Sequence, residues 1–164
     1  MFKHIEFTEE DFYKIISSEI MYQEQLIKYI DRDGKEHTAR SAGDLAVCDD
    51  KCTVKVEGME RWSPEIFNLL QEFKDLFKTF DKPVTCHLFK SFKDGYTFKK
   101  HEDISDVIIY VLNGVKTMEV NEREYIIDKN EYILIPKKTP HKATNKHDSM
   151  MLSIAFEEFL INKT

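Results

Sequence analysis

Two histidines and an aspartate are the residues whose types and spacing point most directly to chemistry. His101 and Asp103 lie one residue apart in G-Y-T-F-K-K-H-E-D, and His141 follows forty residues later at the end of I-L-I-P-K-K-T-P-H. Side chains of an extended segment alternate faces, so His101 and Asp103 share one face if that segment is a strand. Val107 to Leu112, V-I-I-Y-V-L, has a strand's branched and aromatic content just after it. One carboxylate and two imidazoles brought together from two strands inside a barrel make a facial triad for non-haem iron(II), with half the coordination sphere left for substrates and dioxygen. An HxD pair is common by chance. Weight comes from the order of parts: a Gly95 loop, HxD, a strand, a G-V-K turn at Gly114 to Lys116, another strand, and a proline-bearing turn into His141.

The elements that must position these residues are legible to different degrees. Thr8 followed by Glu9, Glu10 and Asp11 predicts a capped helix from Glu9 to about Ser17. Gln25 to Ile30 predicts a strand and Arg32 to Lys35 a turn at Asp-Gly. The polar stretch from Glu36 to Lys51 reads as mostly loop. T-V-K-V-E from Thr53 to Glu57 alternates, with Val54 and Val56 toward the core. Ser63-Pro64 opens a helix whose apolar residues, Ile66, Phe67, Leu69, Leu70, Phe73, Leu76, Phe77 and Phe80, recur at helical spacing and read as core packing, with Asp81-Lys82-Pro83 as the stop. From Val84 the period becomes two, and His87, Phe89 and Ser91 share a face taken as interior. Strands are expected at Lys116 to Val120, Arg123 to Ile127, Tyr132 to Ile135 and Met150 to Phe156. That series is mainly β, a jelly-roll barrel of double Greek-key type with a flanking N-terminal helical region.

Bulk properties set bounds. The 164 residues suit a single domain: residues 1–50 as an N-terminal extension, 51–82 as a strand and flanking helix, and 83–160 as the barrel. Nothing in the sequence approaches the roughly 20 apolar residues of a spanning helix, and the N-terminus lacks a signal peptide's apolar stretch, so no membrane role and a cytoplasmic location are expected. Net charge is −6 with lysines dispersed among acids, which argues against a nucleic-acid partner. Lys99, Lys100, Lys137 and Lys138 read as a solvated rim. Cys48, Cys52 and Cys86 are odd in number and match no zinc pattern, so free thiols in a reducing compartment are expected.

Taken together these residues resemble the cupin superfamily. Asn130, Pro136, His141 and Asn145 match its second motif, with Asn130 and Lys138 where the family usually has glycines. The first motif departs: Asp103 replaces the second histidine and Val107 stands at the glutamate ligand's position, which leaves three ligands as in the JmjC-type oxygenases. Within that branch the likeness is to ribosomal oxygenases and asparaginyl hydroxylases, on HxD, a distal histidine and a G-x-K lysine fifteen residues after the first histidine, here Lys116. The resemblance implies His101, Asp103 and His141 as catalytic iron(II) ligands, 2-oxoglutarate as cosubstrate with Lys116 on its distal carboxylate, and a protein side chain or small molecule as substrate. His87 and Phe89 stand where those enzymes tend to have Asn and Tyr, so His87, Ser91 or Asn145 is expected to replace a missing hydrogen bond. A hairpin-end lysine in solvent is the other reading of Lys116. Another metal-dependent cupin enzyme, an isomerase or an oxo-acid-independent dioxygenase, and a non-enzymatic ligand-binding module are the alternatives. A homodimer is expected, because small-barrel edge strands tend to pair or be covered, with Ile108, Tyr110 and Leu112, opposite in parity to the ligand face, packing on neighbouring elements.

Overall fold

The structure is a computed structural model that describes residues 4–48 and 50–157. Two helices, α1 (Glu9–Ile16) and α2 (Glu19–Gln23), precede a hairpin of β1 (Ile27–Ile30) and β2 (Glu36–Thr38). Helix α3 (Ala42–Ala46), strand β3 (Thr53–Val56), a 3₁₀ turn at Met59–Arg61 and helix α4 (Pro64–Phe77) follow. The remainder is β4 (Val84–Ser91), β5 (Asp106–Gly114), β6 (Lys116–Val120), β7 (Arg123–Ile127), β8 (Tyr132–Ile135), β9 (His141–Ala143) and β10 (Ser149–Phe156). Strands pair antiparallel into a seven-stranded sheet, β2-β1-β3-β4-β10-β5-β8, facing a three-stranded sheet, β7-β6-β9. This is a mainly β, cupin-type jelly roll with a few helices. Residues 158–160 of the expected barrel lie outside the described residues.

Strand β5 explains the two-layered core. Its V-I-I-Y-V-L run is buried throughout, as a strand covered on both faces must be. Val107, Ile109 and Val111 point between the sheets, where they meet Met118, Val120, Ile135 and Met151. Ile108, Tyr110 and Leu112 point the other way, into a second core with Leu69, Leu70 and Phe73 of α4. Phe73 packs edge-on against Tyr110 at 6.2 Å and Tyr132 at 4.9 Å between ring centroids. The chain's own helix therefore covers the face expected to pack on neighbouring elements.

Four expectations need correction. Phe67, Leu76 and Phe80 are exposed (54, 52 and 64%). At about 100° per residue Phe67 and Leu76 flank the Ile66–Leu69–Leu70–Phe73 stripe on opposite sides and miss the sheet. The segment from Glu36 to Lys51 is not mostly loop but holds β2 and α3. Cys48 and Cys52 are not free thiols: they form a disulfide with Cα atoms 5.4 Å apart, a separation that permits bridging. Among the described residues only Cys86 is a free thiol, and it is buried. The segment holding His101 is not a continuous strand either. It is irregular on both sides of a single bridge to His141. Among the described residues no helix is long and apolar enough to cross a membrane.

Candidate metal centre

That single bridge builds the site. His101 N–H donates to the His141 carbonyl at 3.1 Å and His141 N–H to the His101 carbonyl at 2.9 Å. Two residues that exchange both bonds stand directly opposite, with side chains on one face. The imidazole centroids are accordingly 4.4 Å apart. Asp103, two residues beyond His101, is held by Lys138 N–H donating to its carbonyl at 2.8 Å. One ligand atom from each of His101, Asp103 and His141 lies within 4.8 Å of the others.

The imidazoles are oriented for a metal. Nδ1 of His101 lies 2.8 Å from the Lys99 carbonyl, and Nδ1 of His141 lies 2.8 Å from the Thr139 carbonyl. A carbonyl only accepts, so each Nδ1 carries a proton and the neutral ring presents its Nε2 lone pair, the arrangement that fixes metal-ligating histidines. Those Nε2 atoms lie 3.6 Å (His101) and 3.1 Å (His141) from Asp103 carboxylate oxygens. When the His141 ring is protonated, its Nε2–H donates to Asp103 and holds that carboxyl below its usual range; metal binding displaces this proton. Burial is the largest single influence on the His141 pKa and lowers it, but the bond to Asp103, the bond to the Thr139 carbonyl and the Asp103 charge together outweigh it, and the net shift is upward. Two imidazoles and a carboxylate, three donors with open positions beside them, fit a non-haem iron(II) ion.

Lys116, on β6 of the small sheet, lines the same cavity as the triad, a volume of about 500 Å³. It is not a solvent lysine: it is 2% exposed. Its Nζ donates to Ser91 Oγ at 3.1 Å and Asn145 Oδ1 at 3.0 Å. Among the described residues its acceptors are all neutral, and burial pushes its pKa down to about 8. An ammonium has three donors, so one remains for a ligand. Asn145 also donates through Nδ2 to the Gly95 carbonyl at 3.2 Å, which commits its side chain to holding Lys116 and the loop.

His87, Phe89 and Ser91 line the cavity on β4 as their parity predicts. Ser91 is fully buried beside Lys116, while His87 is four residues further along the strand. Nδ1 of His87 is buried with no hydrogen-bond partner, and burial lowers its pKa, so the ring is neutral at neutral pH. Thr53 went unread as a site residue. It is buried, lines the cavity and lies 3.1 Å from Ser91 Oγ. Its signal was present in T-V-K-V-E, where facing Val54 and Val56 to the helices turns Thr53 to the cavity.

Residues 91–155 match the family model described as Cupin domain. Against curated proteins the sequence finds no match. Among solved structures, the ribosomal oxygenase YcfD from Escherichia coli superposes with a TM-score of 0.73 at 15% identity, over 96% of this chain and 45% of that one. The same protein in complex with cobalt and 2-oxoglutarate gives a TM-score of 0.71 at 15% identity, again over 96% and 45%. The chain thus spans less than half the length of these structures. Residues 91–155 are similar to the cupin domain, and the chain has the cupin fold.

Proposed function

We propose that this chain is an iron(II)- and 2-oxoglutarate-dependent oxygenase that hydroxylates a protein side chain or a small molecule. One observation carries the reading: a three-donor triad and a buried lysine with only neutral described partners line one cavity. A buried ammonium without a counter-charge is a burden on the fold, and a ligand carboxylate removes it. The similarity to YcfD, one of whose structures holds cobalt and 2-oxoglutarate, supports the same reading.

In this reading His101, Asp103 and His141 hold the metal. The iron(II) and oxo acid, when bound, supply the activation of dioxygen. Lys116 donates to the distal carboxylate, a charge-assisted bond in a water-poor pocket. Phe89, Ile109, Met118 and Met151 supply apolar lining to the same cavity. Neutral His87 lines it as well.

The test is Lys116→Met, which keeps most of the stem and deletes the charge. Leaving a buried anion unpaired costs on the order of 3 to 5 kcal/mol, so 2-oxoglutarate affinity falls by at least about two powers of ten while metal affinity stays nearly unchanged. His101→Ala removes metal binding and turnover together. Equal 2-oxoglutarate affinity in wild type and Lys116→Met, with metal bound, contradicts the assignment and favours another metal-dependent cupin enzyme.

A further inference from the structure

Residues 51–53, which lead into and open β3, contact both Ser91 and the Tyr96 loop from outside the stretch that matches the cupin domain. The Lys51 carbonyl accepts the Tyr96 N–H at 2.6 Å, and the Thr53 hydroxyl donates to the Tyr96 carbonyl at 2.6 Å. Both peptide groups of Tyr96 are thereby held by residues 51–53. The fit is close: a Cβ on Gly95 would lie 2.7 Å from the Lys51 carbonyl oxygen. His101 is five residues further along this loop.

Thr53 also faces the lysine. Its Oγ1 lies 3.1 Å from Ser91 Oγ, which lies 3.1 Å from Lys116 Nζ. Donor directions follow from chemistry: the ammonium only donates, and a carbonyl only accepts. With Thr53's proton on the Tyr96 carbonyl, Ser91 accepts from Lys116 and donates to Thr53. One oriented chain, Lys116 to Ser91 to Thr53 to the Tyr96 carbonyl, joins the anion end of the cavity to the loop that carries His101. Ser91's own proton is committed to Thr53, so its part is to orient Lys116.

We infer that Thr53 is a positioning residue whose hydroxyl couples the Lys116 end of the cavity to the His101 loop, supporting oxo-acid and metal binding at once. The identity of the anion rests on the proposed function; the coupling rests on the chain of bonds.

The test uses the full chain, cobalt(II) as a redox-silent metal probe, and 2-oxoglutarate. Thr53→Val removes the hydroxyl and keeps the branched shape; Thr53→Ser keeps the hydroxyl. Loss of a buried hydrogen bond of ordinary worth predicts about a 5- to 20-fold weaker 2-oxoglutarate affinity in Thr53→Val, a smaller loss of cobalt affinity, an altered cobalt absorption spectrum and faster hydrogen exchange at the Tyr96 amide. Thr53→Ser restores all four. Wild-type values in Thr53→Val, or a Thr53→Ser as weak as Thr53→Val, overturn the inference. If wild type binds cobalt but no 2-oxoglutarate, the oxygenase reading fails on its own. Cobalt affinity and Tyr96 exchange then decide the Thr53 question, with no change in either overturning it. Should Thr53→Val not fold, Ser91→Ala cuts the chain one link nearer the lysine: weaker 2-oxoglutarate binding with unchanged Tyr96 exchange supports the coupling order, and unchanged binding overturns it.

Discussion

Lys116 shows how a single residue sets stability against function. Its ammonium is held in the protein interior with a pKa near 8, whereas an unfolded chain returns it to 10.5. Between those values the unfolded state binds the proton and the folded state does not, so this group makes stability rise with pH across the window. Below pH 8 the burial penalty is present in full, on the order of 3 kcal/mol. The metal-free, ligand-free wild type is therefore expected to be less stable than Lys116→Met at pH 7, with the gap closing toward pH 10.5. Denaturant titrations of both proteins across that range check it; a gap that is absent or independent of pH contradicts the buried, uncompensated charge.

At the scale of elements, the loop from Gly95 to Ser105 is the part that regular patterns describe least and the site needs most. Strand period two was readable at β6, β7 and β8, whose ends fall at Lys116–Val120, Arg123–Ile127 and Tyr132–Ile135. It was readable because hydrophobic alternation is interrupted there by Asn-Glu and Asp-Lys-Asn turns. The same logic overextended the HxD segment into a strand, because only one residue pair, His101 with His141, meets the ladder. Asn130 and Lys138, departures from the family's glycines, take the left-handed conformation those glycines serve, with φ of 65° and 60°. The disulfide was hidden because an odd cysteine count does not identify pairs, and Thr53 because its partners lie 38 and 43 residues away. Gly95→Ala tests the loop directly. Its new Cβ would press on backbone carbonyls of Lys51 and Phe92 at 2.7 and 2.9 Å, an overpacking that costs about 1–3 kcal/mol and displaces the path to His101. Lower thermal stability and weaker cobalt binding are expected together; loss of neither contradicts the role given to this close approach.

For the whole molecule, two cores on either face of β5 divide the labour. The core under α4 holds the large sheet against the N-terminal helices, and the core between the sheets ends where the cavity begins. Because α4 covers Ile108, Tyr110 and Leu112, the expected homodimer now rests on edge strands: β7 is exposed along most of its length, with Ile126 at 65% exposure. Light scattering at high concentration is expected to report a dimer, and a monomer there contradicts that expectation without touching the site. The central claim is chemical, and anaerobic titration of the iron(II)-loaded protein with 2-oxoglutarate tests it most directly. The account predicts a weak visible charge-transfer band that grows to saturation with the oxo acid and is lost in His101→Ala, while in Lys116→Met it requires far higher 2-oxoglutarate. A protein that binds iron(II) and shows no such band at any 2-oxoglutarate concentration contradicts it.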